Sequence, residues 1–298
     1  MPPSTCTLAT CNPSQSYYGY RPNLGIDVFF AIVYTAAIAH CLYMILSRRK
    51  REWLGYTLAV LVGALLELVG FSARIYGYVH TFVRIGWIIQ YSIITVAPVF
   101  MTAAIYVCIG RIADTLGRGV FNIRPRLYTR IFIPSDVFAL ITQAAGGGVS
   151  FTETAPIDGS GGISAGQGLI LGGLALQVVS LTVFLALFMG VLWPSDLFRR
   201  DKKLGRDARR VRTFAVLLLV AIVLIIGRSI FRAVEFSQGI FGALSHDEIL
   251  FIILDGFPVG IATAILVIFH PFYVFRVAGS DFSGVDLGLR QRFLPEPY

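Results

Sequence analysis

Seven apolar runs, separated by short polar segments, organise the 298-residue chain. A membrane-crossing helix needs about 20 mostly apolar residues. The runs at residues 25–46, 54–76, 85–110, 131–151, 168–193, 213–235 and 249–275 reach that length. They predict an all-α polytopic membrane protein with seven transmembrane helices in one bundle. Few polar residues interrupt the runs, and their spacing predicts faces. In span six, Arg228, Arg232 and Glu235 stand at i, i+4 and i+7, on one side of a helix. In span two, Glu67 and Arg74 repeat the i, i+7 spacing in the opposite order. Ionised groups at membrane depth cost several kcal/mol unless they face protein or water and find partners. The two faces are therefore expected to meet, with the other helices arranged around them.

Charge sets the orientation. Twenty of the 25 basic residues fall on one side of the predicted bundle. They include Arg48, Arg49, Lys50 and Arg51 after span one, and a larger group between residues 199 and 212 after span five. The segments at 152–167 and 236–248 contain no Lys or Arg. By the positive-inside rule, the N-terminus lies outside and the C-terminus in the cytoplasm. The expected division is an extracellular N-terminal tail (1–24), a seven-helix domain (25–275) and a cytoplasmic C-terminal tail (276–298). Orientation then gives depth. Glu67, Arg74, Gln90, Arg228, Arg232, Glu235 and Asp255 fall in the outer half, Gln143 and Gln177 near the midplane, and Asp136 low in span four near the cytoplasmic side.

Composition agrees. The chain is 56% apolar and 14% charged, against about 25% charged in a soluble domain, and its mean hydropathy is +0.73. The net charge of +8 belongs to the loops, so it predicts topology and not nucleic-acid binding. The first 23 residues lack the basic-then-apolar order of a signal peptide, so span one is expected to act as its own insertion signal. Cys6 and Cys11 in the N-terminal tail are a disulfide candidate, with two free thiols as the alternative; Cys41 and Cys108 sit in apolar runs.

The sequence argues against several chemistries. The chain has no G-x-x-x-x-G-K-[ST] motif and only three lysines, Lys50, Lys202 and Lys203, none in a span. ATP hydrolysis and a retinal-type Schiff base are thereby excluded. The four histidines divide between the two sides, His40 and His270 from His80 and His246, so they cannot assemble a catalytic zinc. No cofactor, metal or enzymatic activity is predicted. The outer-half charges sum to neutral: Arg74, Arg228 and Arg232 against Glu67, Glu235 and Asp255. They read either as ion pairs holding helices in register or as the lining of a polar cavity. Asp136 is a candidate coupling site, with Arg130 as the alternative partner that would make it structural.

The chain resembles the fungal RTA-like proteins, a seven-helix lipid-translocating exporter family. The resemblance rests on Glu67-x-x-Gly70-Phe71-x-x-Arg74 in span two and on Gln90, Ala97-Pro98 and Ala104-x-Tyr106 in span three. It continues through Asp136 and Gln143-x-x-Gly146-Gly147-Gly148 in span four and Gly173-Leu174-x-x-Gln177 in span five. It ends on Arg228-x-x-Phe231-Arg232-x-x-Glu235-Phe236-x-x-Gly239 in span six, and Glu248, Asp255 and His270-Pro271 around span seven. At position 251, where this chain has Phe, the resemblance implies an aromatic that is often Tyr. It implies movement or export of amphiphiles such as sphingoid bases, aminosterols or porphyrins, resistance to toxic ones, and residence in the plasma membrane ahead of an internal one.

Together these readings predict a protein that binds membrane lipids or lipophilic small molecules. Glu67, Glu235 and Asp255 would receive a cationic head group. Arg74, Arg228 and Arg232 would keep those carboxylates ionised, and Gln90, Gln143 and Gln177 would line the path. The alternative is a seven-helix lipid sensor that regulates transport without carrying its ligand.

Overall fold

The computed structural model describes residues 10–47, 53–115, 125–152, 164–192, 206–239 and 242–277. Cys6, the segment 48–51 and the C-terminal tail beyond 277 lie outside the described residues. No strand occurs among the described residues. The helices are α1 (Leu24–Leu46), α2 (Leu54–Val79), α3 (Arg84–Thr115), α4 (Pro125–Thr152), α5 (Ala165–Leu192) and α6 (Arg206–Ser237). The last apolar run is broken into α7 (Glu248–Phe251), a π turn (Ile252–Gly256), α8 (Phe257–Ile268) and α9 (Pro271–Val277).

Six helical stretches among the described residues are long and apolar enough to cross a membrane: α1, α2, α3, α5, α6 and the run Glu248–Val274. Helix α4 is a seventh of comparable length, 28 residues, with a lower apolar content. Sequential helices pack side by side, and α8 returns to α1, so the bundle closes on itself. Helix α3 is the most enclosed, 72% of its apolar window being buried, against 28% for α1.

The helical period is written in the buried positions. In α2, Tyr56, Val60, Gly63, Glu67, Gly70, Arg74 and Gly77 form a stripe at three- and four-residue spacing, and all are buried. Asn23 starts α1 by accepting the backbone N–H groups of Gly25 and Ile26, and Asp247 starts α7 in the same way for Ile249 and Leu250. The N–H of Asn23 also donates to Glu248 Oε1 at 2.7 Å, which ties the two helix starts together. Among the described residues, the segment just before α1 packs against the bundle. Tyr18 is buried, and Arg21 donates to the Tyr78 carbonyl while lying over the Tyr78 ring at 3.8 Å.

Helices α4 and α5 meet through glycine. A Cβ on Gly146 would lie 2.6 Å from the Gly166 carbonyl oxygen and 2.7 Å from the Ile170 nitrogen, both backbone atoms that cannot swing away. Gly146→Ala is therefore expected to lower stability by about 1–3 kcal/mol, the usual range for overpacking. Thermal unfolding of the purified protein in detergent measures it, with Gly147→Ala as the control, since a Cβ there meets nothing within 4 Å.

The prolines act differently. Pro258 lies in the first turn of α8, directly after the π turn, where the Phe257 N–H reaches back to the Ile252 carbonyl. The helix changes its winding at this point. His270-Pro271 separates α8 from α9. The His270 ring bonds Thr57 Oγ1 at 3.0 Å, and Pro271 occupies the first position of the new helix.

Candidate functional site

The charged residues gather at the end of the bundle where α1, α3 and α7 begin and α2 and α6 end. They form two clusters and not one. In the first, Arg74 is wholly buried and lies 2.6 Å from Asp27 and 2.8 Å from Glu248. It also donates to the Tyr20 hydroxyl at 3.2 Å. Burial pushes the Tyr20 hydroxyl above its ordinary pKa against the pull of the Arg74 cation, so Tyr20 stays neutral.

In the second cluster Asp255 is the hub. Its Oδ1 accepts from Arg228 Nε at 2.6 Å and from Arg232 Nε at 3.0 Å, and its Oδ2 accepts from Arg232 Nη2 at 2.8 Å. Arg232 Nη1 donates to Glu235 Oε2 at 2.9 Å. The π turn carries Asp255 between the two arginines, which are 0% exposed. The remaining reach of Arg228 follows from Pro98. A proline has no N–H to give the carbonyl four residues back, so the Ile94 oxygen is released from the α3 ladder. Arg228 Nη2 donates to that oxygen at 2.6 Å. The Phe251 ring lies between the clusters, 4.5 Å from the Arg74 guanidinium carbon and 5.4 Å from that of Arg232. The position uses the ring face, which Phe supplies as well as Tyr.

These contacts correct the expected pairing. The polar face of α2 does not meet the face of α6 as a unit. Glu67 and Arg74 are about 10 Å apart along the helix axis, so each joins its own layer. Arg74 pairs with α1 and α7, and Glu67 lies within electrostatic reach of Arg228, Arg232 and Asp255. The expected neutrality also fails, because Asp27 and Glu248 join the network through Arg74. Three guanidiniums face five carboxylates. In the sequence an acid in the first turn of a helix, as Asp27 is, ordinarily reads as a dipole partner. The rule that singled out Glu67, an acid in an apolar run, would have found it.

Glu67 differs from the other acids of the two clusters in having no ion pair. It is 1% exposed, and its Oε1, like Asp27 Oδ2, has no hydrogen-bond partner. Two buried neighbours are also incomplete, the Tyr34 hydroxyl and Arg228 Nη1. Each unsatisfied buried polar atom costs about 1–3 kcal/mol, so three together mark a place built to hold water or a polar group. Phe30, Tyr34 and Phe71 stack over this place, with ring centroids 4.7 Å apart for Phe30 and Phe71 and 5.7 Å for Tyr34 and Phe71.

The other expected site residues separate. Gln90 is buried with a free Oε1. Gln143 Nε2 donates to Gln177 Oε1 at 3.2 Å, which leaves one acceptor and one donor unused on the pair. Asp136 accepts from Tyr106 at 2.8 Å and Thr102 at 3.3 Å, with Ser180 beside it and its Oδ1 free. Arg130, considered as its partner, is exposed; six residues apart, the two leave α4 on different faces. Cys41 and Cys108 are buried and form no disulfide. Among the described residues, no group of three or more His, Cys, Asp or Glu could hold a metal ion.

An all-helical polytopic membrane protein with a buried, acid-rich charge network at one end is the class that these features define. The chain belongs to the family described as RTA1 like protein, whose match covers residues 60–278. It is 27% identical over 299 residues to the sphingoid long-chain base transporter RSB1 of Saccharomyces cerevisiae, covering 90% of this chain and 76% of the relative. It is 29% identical to Protein RTA1 of the same yeast over 286 residues, 87% of this chain and 86% of the relative. Protoporphyrin uptake protein 1, also of that yeast, is 30% identical over 197 residues, 66% of this chain and 62% of the relative. No solved structure matches the chain.

Proposed function

We propose that this protein carries an amphipathic lipid or toxic amphiphile with a cationic head group, of the sphingoid-base type, between the leaflets of a fungal membrane. On this reading α4 crosses the membrane with the other six helices. The N-terminus and the charged end of the bundle face outside, and the basic segments and C-terminus face the cytoplasm. The tails at 1–24 and 276–298 flank the seven-helix domain, and the plasma membrane is the expected location. The protein is a carrier and not an enzyme.

The observation that carries the reading is Glu67. Both oxygens of Asp255 are held by arginines, and Glu235 is tied to Arg232. Glu67 alone of these three acids keeps a buried oxygen without a partner, in a network with more carboxylates than guanidiniums. An amine donates to that oxygen and completes its hydrogen bonding. A phosphate brings only further acceptors. Asp255, Glu235, Arg228 and Arg232 then frame the site, while Arg74 anchors α1 and α7 beside it. Asp136, deep in the bundle and held by hydroxyls, is the candidate for proton coupling. The names of the first and third relatives, a sphingoid base transporter and a porphyrin uptake protein, support amphiphiles as the cargo.

The test is transbilayer movement of a fluorescent sphingoid base in liposomes containing the purified protein. Glu67→Gln is expected to slow movement by about tenfold or more while the unfolding temperature holds or rises, because a buried acid without a partner is removed. Unchanged movement would return Glu67 to a structural role. Binding without any protein-dependent movement would make the protein a lipid sensor.

A further inference from the structure

A cleft of about 200 Å³ opens between α3, α4, α5 and α6, beside the charge network and separate from it. Its mouth is at the bundle surface, where Ser92, Ala144 and Gly148 are exposed. Its inner wall is formed by Tyr91, Gln143, Ile170 and Phe236, all buried. Two of these wall residues have unused polar atoms. Tyr91 and Gln143 are each 7% exposed, and neither the Tyr91 hydroxyl nor Gln143 Oε1 has a hydrogen-bond partner.

Tyr91 is also the partition between the cleft and the charges. Arg232 lies over its ring, 5.4 Å from the centroid. Trp87 stacks on the ring at 5.2 Å and Phe236 packs against it at 5.1 Å.

The glycine run in α4 supports the same place. Gly146 is needed for contact with α5, but a Cβ on Gly147 or Gly148 would meet nothing within 4 Å. Packing does not require glycine at those two positions, and each costs a helix interior about 1 kcal/mol relative to alanine. What the two glycines provide is open space, and both line the cleft.

We propose that this cleft is the lateral entry site for a single-chain amphiphile bearing amino and hydroxyl donors, with Tyr91 and Gln143 binding the head and the outer Gly147–Gly148 edge holding the start of the chain. This rests on the carrier reading above and adds the route to it. The volume selects the occupant. Sites for drug-sized ligands run to about 300–1,000 Å³, so this one admits a slender head and chain and excludes a rigid macrocycle. The free acceptor on Gln143 and the free hydroxyl on Tyr91 match a ligand with donors. From the cleft, displacement of the Tyr91 ring brings an amine to Arg232, Glu235 and Asp255, with Glu67 behind them.

The experiment is equilibrium binding of a sphinganine with a fluorescent group on its terminal carbon to the full chain in liposomes. Gly148→Leu fills the groove and is expected to weaken binding by about tenfold. Tyr91→Phe, which keeps the ring and removes the unpartnered hydroxyl, is expected to weaken it by about three- to tenfold, the worth of one hydrogen bond. Gly172→Leu, where a Cβ also meets nothing within 4 Å and which does not line the cleft, is expected to bind as wild type. Helical content and unfolding temperature verify the fold of each variant, and Tyr91→Phe decides if Gly148→Leu does not fold. Wild-type binding that persists in both variants overturns the entry site and leaves the carrier reading standing. Absence of binding to the wild type overturns both.

Discussion

Asp255→Asn is expected to destabilise the protein by about 3–5 kcal/mol, the range for removing one partner of a buried ion pair. The substitution keeps the shape and removes the charge that two wholly buried guanidiniums share. Arg228 retains the Ile94 carbonyl, a neutral acceptor, and Arg232 retains Glu235. Neither contact replaces a carboxylate that meets three donors. The loss appears as a lower unfolding temperature in detergent and a smaller folded fraction after membrane extraction. A change within about 0.5 kcal/mol, the usual effect of a surface substitution, would show that Glu67 moves in to neutralise the arginines and that Asp255 is not the hub. Because the π turn places Asp255, insertion of one alanine after Gly256 would test the same point through the backbone.

Arg74→Met is expected to have the second large effect, again about 3–5 kcal/mol. Methionine keeps the apolar stem but leaves the buried Asp27 carboxylate without a cation and leaves Glu248 Oε1 only the Asn23 N–H. It also removes the donor that holds the Tyr20 hydroxyl. Loss of stability should therefore come with faster amide hydrogen exchange in residues 16–23, the segment that packs on this end of the bundle. Asp27→Asn should cost less, because Glu248 still neutralises Arg74. If Asp27→Asn costs as much as Arg74→Met, Glu248 contributes nothing, and the link from α2 to α7 is only geometric.

The helices were legible in the sequence because membrane crossing imposes a length and an apolar content that a single chain displays openly. Six of the seven expected runs meet both conditions, and the seventh, α4, is a helix of the expected length. The polar face of α6 was legible for a similar reason. Arg228, Arg232 and Glu235 stand close enough in sequence for helical geometry to place them, and Arg232 does bond Glu235 at i+3. Asp255 was recognised as part of the same group from its depth. The family was legible in the order of short motifs over the spans, and the match over residues 60–278 bears it out.

Partner identity was not legible, because it depends on contacts 23 to 174 residues apart in the chain. The sequence could place Glu67 and Arg74 on one face of α2; it could not say that one meets α6 and the other α1 and α7. Nor could it show that Pro98 frees the Ile94 carbonyl for Arg228, or that Pro258 follows a π turn. It did not separate the glycine that packs from the two that leave space, since Gly146, Gly147 and Gly148 differ only in what lies opposite them.

By itself, the sequence determined the all-helical class, the seven apolar runs and the family. Each of these follows from local period or from the cost of placing a polar group in an apolar run. The tertiary structure alone decided which charges are satisfied, that carboxylates outnumber guanidiniums, and that Glu67, Tyr91 and Gln143 keep unused polar atoms. Those facts depend on distances of a few ångström between helices, and pairing in a low-dielectric interior is settled at that scale.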